Sequence, residues 1–100
     1  MAERQPPFWD ALQKYDPEFY KAATLVREKA RAIGSLDSKT KTLISLALDT
    51  MSGAKHGIKN LAKQARALGA SDDEIREVLR LVSNVKINQA LSAAQSAFED

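Results

Sequence analysis

Ser71-Asp72-Asp73-Glu74-Ile75-Arg76-Glu77-Val78-Leu79-Arg80-Leu81-Val82 is the stretch that decides the fold. Its first four residues form a capping box, in which the Ser71 side chain accepts the N–H at position 74 and Glu74 reaches back to the N–H of Ser71. A helix must start there. Ile75, Val78, Leu79, Leu81, Val82 and Val85 recur at three- and four-residue steps and give that helix a buried face. A soft break is expected around Lys86 to Asn88, followed by a final Ala-rich helix carrying Leu91, Ala94 and Phe98.

Upstream, Gly69 closes a helical period set by Ile58, Leu61, Ala62, Ala65 and Leu68, and the small residues Ser52-Gly53-Ala54 separate this helix from an earlier one. The earlier helix starts at Leu36-Asp37-Ser38 and carries Leu43, Ile44, Leu46, Ala47, Leu48 and Met51, an apolar stripe wide enough to be packed on more than one side. Asp16-Pro17-Glu18 supplies a capping carboxylate, a first-turn proline and an acid matched to the helix dipole. Phe19, Ala22, Ala23, Val26, Ala30 and Ile33 then predict a helix over 17–33 stopped by Gly34. Pro6 and Pro7 open one more short helix through Phe8, Trp9, Ala11 and Leu12. No segment alternates with period two. The expected fold is all-α, a compact domain of five or six helices with loops of two to five residues, spanning 1–100 as a single domain.

Composition narrows the chemistry. The chain has 100 residues, 44% hydrophobic and 28% charged, a globular balance. It has no cysteine, which removes disulfides, thiolate nucleophiles, cysteine zinc sites and iron–sulfur clusters together. One histidine, His56, leaves no metal site and no cofactor to expect from the residues. No apolar run approaches the roughly 20 residues needed to cross a bilayer, so a soluble cytoplasmic protein without a membrane partner is expected. The net charge of +2 is far from that of a dedicated nucleic-acid binder. Its distribution is uneven: residues 34–70 carry six basic and two acidic groups, and residues 71–100 carry three and six.

From Leu36 to Leu81 the sequence resembles the carboxymuconolactone decarboxylase and alkylhydroperoxidase D-like (AhpD-like) family. The residues that carry the resemblance are Asp37-Ser38-Lys39-Thr40-Lys41-Thr42-Leu43-Ile44-Ser45-Leu46-Ala47, then Ala65-Arg66-Ala67-Leu68-Gly69-Ala70-Ser71-Asp72-Asp73-Glu74-Ile75, and Glu77-Val78-Leu79. Members with peroxidase or disulfide-reductase activity place a C-x-x-C-x-x-x-H motif between these blocks and a glutamate on the preceding helix. Counted back from Gly69, the two cysteine positions fall on Ala54 and Gly57, the histidine on Leu61 and the glutamate on Thr42. All four are degenerate here, so thiol-based peroxide reduction by the family's mechanism is excluded. The decarboxylase branch is also expected to use a histidine near the Leu61 position. The resemblance implies dimers, trimers and commonly hexamers, and the nearly all-round apolar 43–48 segment of a chain this short points to a homo-oligomer as well.

The remaining candidates cluster around the inherited site. His56 is a candidate acid or base, one residue before the second thiol position, and Asp49 is the nearest candidate carboxylate partner. Ser52, Lys55, Lys59 and Asn60 are candidate ligand-binding residues; Asn60 lies four residues from His56 on one helical face. Lys55, Lys59 and Lys63, with the helix N-terminus, form either the rim of an anion pocket or a solvated charged edge. Three functions therefore stand open: a small-anion-binding oligomer derived from an enzyme, a structural or regulatory oligomer with no ligand site, and a non-redox lyase or decarboxylase using His56 and a lysine.

Overall fold

The computed structural model describes residues 7–99. Five α-helices and one 3₁₀ turn make up its elements: α1 (Pro7–Tyr15), α2 (Pro17–Arg31), α3 (Ser38–Ser52), α4 (Lys55–Ala67), α5 (Asp72–Ala94) and the 3₁₀ turn Gln95–Phe98. There is no strand among the described residues, and no helix among them is long and apolar enough to cross a membrane. The chain divides into two compact units between Gly34 and Ser35.

The first unit is the α1–α2 hairpin. Asp16 joins the two helices and caps α2, its Oδ1 accepting the Phe19 N–H at 3.1 Å with Pro17 in the first turn. The aromatics of α1 and α2 pack within the hairpin: Trp9 meets Tyr20 edge-on at 6.0 Å, and the Arg27 guanidinium lies 5.2 Å from the Trp9 ring centre. The helix expected over 17–33 is shorter. It ends at Arg31 because Ala32 turns extended, with ψ 151°, and Gly34 takes no left-handed conformation to form a stop. Ile33 is fully exposed, so no apolar surface rewards a further turn.

The second unit is built on α3, which packs against both α4 and α5. The wide stripe on α3 anticipated this. Leu46 is 1% exposed, and Ala65 of α4, Ala70 of the connecting loop, and Ile75 and Val82 of α5 complete the buried set. The soft break expected at 86–88 does not occur: α5 continues through Lys86, Ile87 and Asn88 to Ala94. These residues are weaker helix formers than Ala by only about 0.7 kcal/mol or less each, and neither Gly nor Pro is present to outweigh the propagating ladder.

Capping fixes where α3 and α5 begin. Asp37 Oδ1 accepts the Thr40 N–H at 2.7 Å, and Ser71 and Glu74 exchange both capping-box bonds at 3.0 Å. Glu74 Oε2 also lies 3.0 Å from Lys39 Nζ, tying the first turn of α5 to the first turn of α3. The Ser71 backbone N–H, and after it the Lys39 ammonium, hold the Glu74 carboxyl below its ordinary 4.5; the Thr40 N–H holds Asp37 below 3.8. A carboxyl with a depressed folded pKa is more readily protonated in the unfolded chain. Its contribution is therefore complete above the ordinary values and is lost as pH falls through the folded ones. Thermal melts should show the melting temperature falling below about pH 4.5, with a shallower fall in Glu74→Gln. An identical acid profile in that variant would remove Glu74 from the linkage.

Candidate functional site

The site forms where α3 reverses into α4. Gly53 ends α3 in the left-handed region, with φ 74°, a conformation that favours glycine. Its N–H donates to the Thr50 carbonyl at 3.2 Å and the Ala54 N–H donates to the Asp49 carbonyl at 3.0 Å, the paired bonds of a Schellman motif. Two residues, Gly53 and Ala54, thus separate the last turn of α3 from the first turn of α4. The chain reverses so tightly that Asp49 is laid against α4.

Asp49 lies against Gly57. A methyl group on Gly57 would stand 3.0 Å from Asp49 Cγ and would overlap Oδ2, so the carboxylate fills the space that any side chain at 57 would need. The half-buried carboxylate makes no hydrogen bond or ion pair with another described residue. In α4 the Lys55 N–H is taken by the Gly53 carbonyl and the Ile58 N–H by the Ala54 carbonyl. The negative charge beside this first turn interacts favourably with the positive end of the helix dipole.

The other candidates sit around it unevenly. His56 is exposed on the first turn of α4, and its Nε2 lies 3.2 Å from Asn60 Nδ2. Which of the two groups donates is set by the tautomer of the imidazole. Lys55 and Lys59 are exposed on α4 and form no ion pair with a described residue. Ser52 is not joined to this group, because its hydroxyl donates to the Leu48 carbonyl of its own helix at 3.0 Å. Of the four degenerate family positions, Ala54 is exposed at the reversal, Gly57 and Leu61 are half-buried on α4, and Thr42 donates its hydroxyl to the Ser38 carbonyl at 2.8 Å. No group of three or more His, Asp or Glu side chains among the described residues is placed to hold a metal ion.

The arrangement offers a carboxylate acceptor, an oriented imidazole and two ammonium groups. It offers no nucleophilic sulfur. Such a set can orient a ligand and move a proton. The packing of Asp49 on Gly57 is the feature that reading the sequence missed. A signal was present: glycine inside a helix costs about 1 kcal/mol relative to alanine, and its presence marks a place where something approaches the backbone closely.

The chain is similar to known proteins in sequence and in fold. A model of the carboxymuconolactone decarboxylase family matches residues 17–100. An uncharacterized protein of Methanocaldococcus jannaschii is 29% identical over 73 residues, which are 73% of this chain and 68% of that protein. A crystal structure of a protein from Methanobacterium thermoautotrophicum has the same fold, with a TM-score of 0.80 at 23% identity over 86% of this chain and 99% of that one.

Proposed function

Because this chain belongs to the carboxymuconolactone decarboxylase family, we propose that it uses the α3–α4 site without sulfur, as a homo-oligomer that binds a small anionic molecule carrying a hydrogen-bond donor. The observation that carries this reading is the half-buried Asp49 carboxylate against Gly57, the position where the family resemblance sets the second thiol. An acceptor stands where a nucleophile would be. In this reading Asp49 takes the ligand's O–H or N–H, while Lys55 and Lys59 hold its carboxylate or phosphate from the rim. The His56 ring, in contact with the Asn60 amide, is the group available to accept or return a proton, which supports a non-redox lyase or decarboxylase as the second reading.

Assembly belongs to the same proposal. Leu46 is buried, yet Ile44 and Leu48 on the same helix are 45% and 62% exposed, apolar surface that a second subunit of a trimer or hexamer would cover.

A thermal-shift panel of small carboxylates, with and without an adjacent hydroxyl, tests the ligand site. A ligand at 100 times its Kd stabilises the folded protein by about 2.7 kcal/mol. Hydroxy acids should raise the wild-type melting temperature in a saturable way. Asp49→Asn should weaken those ligands about tenfold and leave plain carboxylates little changed. The pair Lys55→Glu and Lys59→Glu should abolish every shift. A wild-type protein that responds to no member of the panel would reject the ligand site in favour of a structural or regulatory assembly.

A further inference from the structure

The apolar stripe of α2 holds a concavity that the hairpin leaves open. Phe19, Ala22, Ala23 and Val26 recur at helical spacing and share one face of the helix. The two alanines in the middle are short. Between the larger walls of Phe19, Val26 and Trp9 they form the floor of a groove of about 360 Å³, within the range of roughly 300–1,000 Å³ typical of small-molecule sites. Phe19 and Val26 remain 59% and 71% exposed, and Arg27 is the one charged residue in the lining. From Phe19 to Arg27 the groove follows about 12 Å of helix.

Arg27 gives this groove its chemistry. It is the one half-buried arginine among the described residues; Arg31, Arg66, Arg76 and Arg80 are all exposed. Arg66 and Arg76 each pair with an aspartate, whereas Arg27 makes no ion pair with a described residue. Its guanidinium meets the Trp9 ring at 5.2 Å, and a cation–π contact engages the charge without using the N–H donors. A charge drawn partly out of water without a counter-ion carries an electrostatic cost that an anion removes.

We infer that this groove binds a small monocarboxylate with an apolar body, a medium-length alkyl chain or a single ring. The body lies on Trp9, Phe19 and Val26 over the alanine floor, and the carboxylate accepts paired N–H bonds from Arg27. Charge selects the class. A neutral apolar molecule would desolvate the guanidinium further and give it no partner. A dianion would bring one more charge than Arg27 neutralises, and a compact inorganic anion would gain nothing from the apolar floor. The groove lies wholly within the hairpin unit, so it is separate from the α3–α4 site and uses neither Asp49 nor the lysines of α4.

Trp9 is the only tryptophan of the chain, so its fluorescence reports on the groove directly. The full chain is titrated with octanoate, with octanamide as the neutral counterpart and acetate as the carboxylate without a body. Octanoate should change the emission saturably, octanamide should bind about tenfold more weakly, and acetate should leave the emission unchanged. Arg27→Met keeps a long side chain and removes the charge; it should weaken octanoate about tenfold and leave octanamide unchanged. Ala22→Leu raises the floor with a good helix former and should abolish both responses, with helical content retained by circular dichroism. The Lys55→Glu and Lys59→Glu pair should respond to octanoate as the wild type does. Equal affinity for octanoate and octanamide, or no saturable change with octanoate, would overturn the proposal. Loss of the response in the lysine pair would overturn it too, by placing the carboxylate at the α3–α4 site. An emission that shifts with protein concentration alone, and not with octanoate, would give the face to a second copy instead.

Discussion

Leu46→Ala should lower the unfolding free energy by about 3 kcal/mol and the melting temperature by more than about 10 °C. Leu46 is the largest fully buried side chain among the described residues and sits on the helix that both α4 and α5 pack against. Truncation opens a cavity at the most buried point of the helix that both neighbours pack against. The cavity cannot easily close, because α3 is held at one end by the Asp37 cap and at the other by the Gly53 reversal. Urea unfolding followed by circular dichroism reads the change directly, and Leu81→Ala on α5, at 66% exposure, is the control. A loss below about 1 kcal/mol for Leu46→Ala would mean that this core does not hold the fold.

If the α3–α4 site binds hydroxy acids as proposed, Gly57→Ala should cost little stability and weaken that binding about a hundredfold. The helix gains about 1 kcal/mol of propensity from the substitution, while the new methyl group evicts the Asp49 carboxylate from its place. These terms oppose each other in stability. In binding they do not, since the acceptor is displaced and its space is filled. In an Asp49→Ala background the same substitution should become clearly stabilising, by close to the full propensity gain of about 1 kcal/mol. A double-mutant cycle measures the difference, and independence of positions 49 and 57 would refute the packing. Gly57→Cys should also displace Asp49 and still give no peroxide turnover, because Ala54 and Leu61 provide neither a second thiol nor a proton relay.

Much of the fold was legible because its signals are local. Asp16-Pro17, Asp37-Ser38 and Ser71 to Glu74 each satisfy backbone N–H groups within the next few residues, so the starts of α2, α3 and α5 follow from short-range chemistry. Helix ends were less legible. Gly53 stops α3 as expected, but Gly34 does not stop α2 and nothing breaks α5 at 86–88. A helix end depends on whether another turn finds a surface to pack against, and neighbours distant in sequence set that.

The candidate site divides in the same way. That this chain lacks sulfur and a relay histidine at Ala54, Gly57 and Leu61 follows from residue identity alone, and so does the proximity of His56 and Asn60 one helical turn apart. The sequence by itself also determined the helical class and the basic edge of α4. Only the tertiary structure decided that Asp49 rests on Gly57 and that Ser52 turns back to its own helix. It also decided that the apolar residues of α5 divide into a buried stripe and an exposed one. Periodicity places residues on one helix, but contact between two helices depends on the angle at which the chain reverses, and that angle is set by the hydrogen bonds at Gly53 and Ala54 together with the packing of Leu46.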